Sequence, residues 1–196
     1  MTIIGITGSI GSGKTTAAKI FSRHYFTRID ADEIAHEIIK KKSVAYRRII
    51  KEFGNAVLDE NKNIDRKKLG NIVFGDKEKL KELNLIMHPM IIQEVKNKIK
   101  KIKNKCGDNA KIIIDAPLLL ETKTKYLVDK IVVVKSNRKN IIKRLNKKYL
   151  KEKIEKILNA QMPLGVKLKQ ADFVIDNNKD LNHLEKQVKN IIKKRE

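Results

Sequence analysis

The stretch Thr2-Ile3-Ile4-Gly5-Ile6-Thr7-Gly8-Ser9-Ile10-Gly11-Ser12-Gly13-Lys14-Thr15-Thr16 decides the fold. Its first six residues form an isoleucine-rich run ended by glycine, which predicts a strand buried on both faces. Gly8 to Thr15 then fit the pattern G-x-x-x-x-G-K-[ST], and Ala17, Ala18 and Phe21 share one face of a helix predicted over Lys14 to about Arg23. Strand, glycine turn and helix in that order make a phosphate cradle. Glycines without Cβ atoms let successive backbone N–H groups converge on phosphate oxygens, and the helix start adds its positive dipole end. Polyphosphate is the expected ligand of Gly11, Ser12, Gly13, Lys14, Thr15 and Thr16. Lys14 is expected at the β- and γ-phosphates, the Thr15 hydroxyl on Mg2+, and Thr16 on the α-phosphate side.

Outward from this loop, a strand is expected over Tyr25 to Ile29, closing at Asp30, followed by a helix over Asp32 to Lys42 and another capped by Ser43 and ending at Phe53. Asn55 to Asn63 reads as polar loop, and Asp65 as the cap of a short helix through Leu69 and Val73. A long helical pattern starting at Asp76 carries Leu80, Leu83, Ile86, Ile91, Val95, Ile99 and Ile102, with a kink expected from Pro89 near His88. Strands are expected at Lys111 to Asp115, Lys130 to Lys135 and Asp172 to Asp176. Helices are expected over Asn137 to Tyr149, over Lys151 to Gln161, and on the stripe Leu181, Leu184, Val188 and Ile191. Five short apolar strands separated by helices imply an α/β chain with a parallel sheet covered on both faces. Part of the strand-free stretch is expected to project beside the sheet's carboxyl edge, where ligands bind in open α/β folds.

The 196 residues, 41% hydrophobic, suffice for one such domain, residues 1–196. No apolar run approaches 18 residues and the N-terminus lacks a signal-peptide pattern, so no membrane partner and a cytoplasmic location are expected. Cys106 has no second cysteine to pair with and reads as an inert surface thiol. The formal charge of +22 raises nucleic acid as a partner. Yet 37 lysines, 29 isoleucines and 16 asparagines against 8 arginines have the look of a nucleotide bias. The lysines are scattered, and Phe and Tyr never interleave with them as a stacking platform requires, so a solvated surface is the better reading.

Asp30-Ala31-Asp32 lies at the end of the second predicted strand, on the edge where the first strand delivers its loop. Two carboxylates so placed divide naturally, one toward metal-bound water and one accepting the proton of an attacking hydroxyl. Asp30 is equally suited to capping the next helix. Asp115 ends the Ile112 to Ile114 strand and reads either as a carboxylate holding Mg2+ through water or as a turn residue before Ala116-Pro117. The pair His36-Glu37 lacks a second histidine four residues on, so no zinc helix is expected.

The residues GITGSIGSGKTT, IDADEIAHE, LNLIMHPMI, IIIDAPLLLE and ADFVIDNN resemble, in order and spacing over about residues 3 to 178, the motif series of the dephospho-CoA kinase family. The resemblance implies a P-loop kinase fold with a five-stranded parallel sheet, a helical acceptor-binding insert over residues 43–105 and a small lid over residues 149–162. It further implies ATP-dependent phosphorylation of the 3′-hydroxyl of dephospho-CoA, the final step of coenzyme A synthesis, with ATP and Mg2+ required. Residue by residue, Asp32 then matches the catalytic base and Lys14 and Arg144 match groups stabilising the transferring phosphoryl. Asn177 borders the adenine of ATP, and His88, Pro89, Leu118 and Leu119 line the acceptor pocket, with Glu121 closing its motif. The second lid arginine of the family is replaced by Lys148, which keeps charge but loses the planar two-donor fork, and Tyr149 stands where an acidic residue usually follows. A nucleoside monophosphate kinase would share loop and sheet, and a nucleic-acid-binding ATPase would suit the charge, though no N-K-x-D motif or basic recognition face supports it. A homo-oligomer is compatible with the sequence.

Overall fold

The computed structural model describes residues 1–146 and 149–194. The chain divides into two compact units, Met1–Asp30 with Lys98–Glu196, and Ala31–Asn97.

The first unit is built on five parallel strands: β1 (Thr2–Thr7), β2 (Thr27–Asp30), β3 (Lys111–Asp115), β4 (Lys130–Lys135) and β5 (Phe173–Asp176). Their order is β2-β3-β1-β4-β5, so β1 is central and the chain steps first to one side of it and then to the other. Parallel register sets Ile6 opposite Asp115 and Asp30 opposite Asp115, which aligns the carboxyl ends of β1, β2 and β3. Side chains alternate between faces along each strand. Ile4, Ile6, Ile113, Val132, Val134 and Ile175 pack on helices α1 (Lys14–Arg23) and α9 (Leu181–Lys193) through Ala17, Ala18, Phe21, Leu184 and Val188. On the other face, a Cβ built on Gly5 would lie 2.5 Å from Leu119 Cδ2, so the absent side chain makes room for the segment after β3. Helices α6 (Arg138–Leu145) and α7 (Lys151–Asn159) share a cluster of Ile141, Leu145 and Ile154, with Ile10 of the glycine loop packed against it. Helix α8 (Leu164–Lys169) contacts β4.

The second unit holds α2 (Ala31–Ile38), α3 (Val44–Phe53), α4 (Arg66–Val73) and most of α5 (Lys77–Cys106). Ser43 and Asp65 cap α3 and α4 by accepting from backbone N–H groups, as their positions predict. The helices close on a core of Ile49, Val57, Ile64, Leu69 and Val73, with Leu80, Leu83 and Ile86 against it.

Helix α5 runs from Lys77 to Cys106 with Pro89 inside it, in keeping with the single long pattern expected from the sequence, while other expectations shift for identifiable reasons. The ring removes one backbone hydrogen bond, from its own nitrogen to Leu85, and Leu85 is 60% exposed, so the freed carbonyl lies on a face that water reaches. The second strand begins at Thr27 instead of Tyr25, because Tyr25 takes a left-handed conformation (φ 66°) and ends α1. Helix α2 stops at Ile38, where the chain turns through Lys42 (φ 68°), short of the expected Lys42 end. Helix α8 is absent from the sequence expectation. Six residues including Gly165 are too short for a visible period, and its one buried side chain is a lysine.

Candidate active site

β1 ends at Thr7 and the glycine loop turns tightly enough that Ser12 N–H bonds the Ser9 carbonyl at 3.0 Å. Gly13 adopts φ 93°, and a Cβ there would stand 2.0 Å from Asn177 Nδ2; only glycine fits, on conformation and on space. Lys14 opens α1, so the positive end of the helix faces the loop. Ser12 is buried, and among the described residues its hydroxyl has no hydrogen-bond partner.

The loop is held from behind. Asn177, directly after β5, donates from Nδ2 to the Ser12 carbonyl at 2.7 Å. Arg144 on α6 donates from one terminal nitrogen to the Gly11 and Ser12 carbonyls at 3.1 and 3.3 Å and to Ser136 Oγ at 3.2 Å. Its other terminal nitrogen donates to the Asn177 carbonyl at 3.0 Å. One guanidinium thus joins the phosphate loop, the end of β4 and the end of β5, a use of fixed fork geometry that an ammonium cannot copy. Gln187 on α9 fixes Asp176 through both backbone groups, at 2.9 and 2.8 Å, which sets the place of Asn177. Asn140, Lys143, Arg144, Asn178 and Lys179 line an open cleft of about 510 Å3 beside these groups.

Asp115 is 1% exposed at the end of β3. Its Oδ1 is 3.1 Å from Lys14 Nζ, a charge contact without hydrogen-bond alignment, and its Oδ2 accepts from Arg28 at 2.6 Å. The same Arg28 nitrogen donates to Asp30 at 2.5 Å, so Asp30 is engaged by the strand's own arginine. Asp176, at the end of β5, sits below the usual carboxylate range. Burial pushes it up, but the Lys135 ammonium and two Asn178 donors outweigh that and favour the ionised form.

After β3, Leu119 is fully buried while Leu118 is half-buried. Glu121 Oε1 accepts from Lys167 Nζ at 2.8 Å and from the Met162 N–H at 3.1 Å, and Lys167, 0% exposed, also donates to the Pro117 carbonyl at 2.9 Å. In the second unit, Asp32 is an exposed residue in the first turn of α2 and His88, half-buried, precedes the exposed Pro89 within α5. Thr15 and Thr16 lie in the first turn of α1. Lys148 lies outside the described residues, and Tyr149 packs partly buried against the Ile141, Leu145 and Ile154 cluster.

Three residues that matter here escaped the sequence reading. Arg28 stands in a strand, where a charge two positions before Asp30 was the available signal. Lys167 is one lysine among 37 and nothing marks it as buried. Gln161, whose Oε1 accepts from the Ile10 N–H at 3.0 Å, carries no signal in its spacing.

A parallel sheet of this order, with a phosphate loop at the head of its central strand and a carboxylate at the end of the neighbouring one, defines a P-loop kinase. Solved structures agree. One from Campylobacter jejuni described as dephospho-CoA kinase has TM-score 0.70 at 29% identity over 98% of this chain and 96% of its own. Shikimate kinase from Bacteroides thetaiotaomicron has TM-score 0.58 at 15% identity, covering 99% and 98% of the chains, and shares the fold alone. The chain belongs to the dephospho-CoA kinase family, whose profile matches residues 2–183. Dephospho-CoA kinases from Fusobacterium nucleatum (46% identity, 95% of this chain and 94% of the relative) and Carboxydothermus hydrogenoformans (42%, 98% and 93%) are similar along their length. The protein is therefore a kinase, and its family phosphorylates dephospho-CoA with ATP in coenzyme A biosynthesis.

Proposed function

We propose that this chain transfers the γ-phosphoryl group of ATP to the 3′-hydroxyl of dephospho-CoA, with Asp32 as the base. The observation that carries the reading is the loop from Gly8 to Thr16, backed by Asn177 and Arg144 and facing the buried Asp115. The backbone N–H groups of Gly11 and of Gly13 to Thr16 hold the triphosphate and Lys14 meets the β- and γ-phosphates. Asp32 accepts the hydroxyl proton as the oxygen attacks phosphorus in line, and the bond from phosphorus to the bridging oxygen of ADP breaks. Arg144 contributes positive charge beside the loop while holding its shape. Asn177 borders the nucleotide, and His88, Pro89 and Leu118 contact the acceptor, with Leu119 anchoring its neighbour from the core. The helical region 43–105 contributes to acceptor binding, and residues 149–162 form a lid that limits wasteful hydrolysis.

The donor set suits Mg2+. Asp115 offers a hard carboxylate whose Oδ1 has no aligned hydrogen bond among the described residues, and Thr15 offers a hydroxyl on the first turn of α1. Among the described residues no group of three or more His, Cys, Asp or Glu forms a cage. That is the usual situation for an ion bound mainly by substrate phosphates and water. Bound there, Mg2+ supplies charge neutralisation on the phosphate oxygens. Among the described residues no helix is long and apolar enough to cross a membrane, and the exposed thiol of Cys106 suits a reducing cytoplasm.

The test is coupled ADP release with dephospho-CoA, with nucleoside monophosphates, and without acceptor, repeated on Asp32→Asn. Turnover that depends on dephospho-CoA and falls about 10²- to 10⁴-fold in the variant, with nucleotide affinity within about threefold, is expected. Equal turnover with monophosphates overturns the acceptor, and unchanged turnover in Asp32→Asn removes it as the base.

A further inference from the structure

Two consecutive residues after α7 reach in opposite directions. Gln161 accepts the Ile10 N–H of the phosphate loop at 3.0 Å through its side chain, and Met162 donates its own N–H to Glu121 at 3.1 Å. Each contact lies far from its partner in sequence, so neither is incidental to local helix geometry. Ile10 is doubly anchored, because its side chain also packs on Ile141, Leu145 and Ile154. At the other end, Lys167 donates to Pro117, whose carbonyl also accepts from Thr7 Oγ1 at 3.0 Å, and Thr7 is the last residue of the strand feeding the loop. The result is a closed circuit: Thr7, phosphate loop, Gln161, Met162, Glu121, Lys167, Pro117 and back to Thr7.

The circuit's charged pair is a poor stabiliser. Burying a lysine costs several kcal/mol of hydration, and replacing such a pair by apolar residues is often neutral or stabilising. What the pair supplies is geometry: two donors on one Glu121 oxygen fix the backbone at Met162, and thereby the reach of Gln161. The oxygen of Gln161 takes up the Ile10 donor and Ser9 takes up that of Ser12, leaving the N–H groups of Gly11 and of the residues from Gly13 onward to converge inward.

We infer that Gln161 is a positioning residue for the phosphate loop, and that Glu121 and Lys167 act on nucleotide binding through it. The inference rests on the proposed function only in giving the Pro117–Glu121 segment an acceptor role. The coupling itself needs no acceptor to be measured.

The experiment titrates the Mg2+ complex of a non-hydrolysable ATP analogue, without acceptor, into four forms at a temperature well below unfolding. These are the wild type, Gln161→Met, the double variant Glu121→Met/Lys167→Met and the triple variant. Gln161→Met is expected to weaken binding about tenfold, as loss of one hydrogen bond to a loop amide does. The double variant is expected to weaken it about threefold, although neither residue belongs to the loop. The triple variant is expected to be no weaker than Gln161→Met, because the far pair acts only through Gln161. Effects that multiply, or a double variant with wild-type affinity, overturn the inference. In turnover, Gln161→Met should raise KM for ATP with kcat within about threefold; lower kcat at unchanged KM marks a merely structural role and also overturns it. Should the double variant fail to fold, that KM-against-kcat split decides alone. Loss of the acceptor reading would appear separately, as wild-type protein that binds nucleotide yet gives no turnover with dephospho-CoA.

Discussion

Lys14 and Asp115 meet at 3.1 Å, and Arg28 holds the other oxygen of the same carboxylate at 2.6 Å. The phosphate-loop lysine therefore shares a buried anion with a second cation, so Lys14 can move toward phosphate without leaving Asp115 bare. Arg28→Met removes that second cation. Asp115 is 1% exposed and the Arg28 side chain 21%, so a destabilisation of about 1–3 kcal/mol is expected, below the range for a fully buried pair. That corresponds to a fall in Tm of about 2–12 °C for a chain of this size. KM for ATP should also rise several-fold, because Lys14 is then held harder by Asp115. Thermal unfolding and steady-state kinetics on Arg28→Met and Arg28→Lys check this, and a methionine variant with wild-type values in both refutes it.

Gly13 and Asn177 occupy each other's space, with 2.0 Å between a hypothetical Cβ and Nδ2. Gly13→Ala should abolish detectable nucleotide binding. Asn177→Ala alone loses the bond to the Ser12 carbonyl and should cost about 1–2 kcal/mol in nucleotide affinity, about five- to thirtyfold in Kd. Combining the two separates sterics from strain. The double variant regains room, but alanine at φ 93° still costs of order 1 kcal/mol or more, so binding should return only in part. Calorimetric titration reads all three.

Arg144 spends its two terminal nitrogens on four acceptors, three of them backbone carbonyls. Arg144→Lys keeps the charge and loses the fork, whereas Arg144→Met loses both. If loop shape is its larger contribution, the two variants should fall by similar factors in kcat/KM, each about 10²-fold. A lysine variant close to wild type would make charge the part that matters.

How far the sequence carried these conclusions depends on what each residue leaves in the pattern. The strands β1, β3 and β4 coincide with their expected spans because each is a short apolar run between turn signals, and the phosphate loop is legible because only glycine suits its conformation. The start of β2 and the end of α2 were misplaced because left-handed residues at Tyr25 and Lys42 decide them, and tyrosine or lysine does not advertise that choice. The supports behind the loop were illegible for a different reason. Arg28, Gln161 and Lys167 act by long-range hydrogen bonds whose partners are fixed by strand order and packing, neither of which leaves a local period. In a chain with 37 lysines, the fully buried Lys167 looks like the others.

Asp176 ties the end of β5 to Asn178 and Lys135, and this gives stability a pH dependence of definite sign. Burial raises its pKa, but the Lys135 contact at 3.2 Å and the Asn178 donors at 3.0 and 2.7 Å lower it further, leaving it below the usual value. A carboxyl lowered on folding contributes stability that is fully present above its unfolded pKa, about 3.9, and is lost as pH falls through its folded value. Because the side chain is 38% exposed, solvent screens the pair and the contribution is at most about 1 kcal/mol. Asp176→Asn should accordingly unfold at lower urea than wild type between pH 5 and 7. The gap should close as pH drops from about 4 toward 3, where the wild-type carboxyl takes up its proton. A gap that widens on acidification would mean that Asp176 is held neutral in the folded chain, and that Lys135 and Asn178 do not govern it.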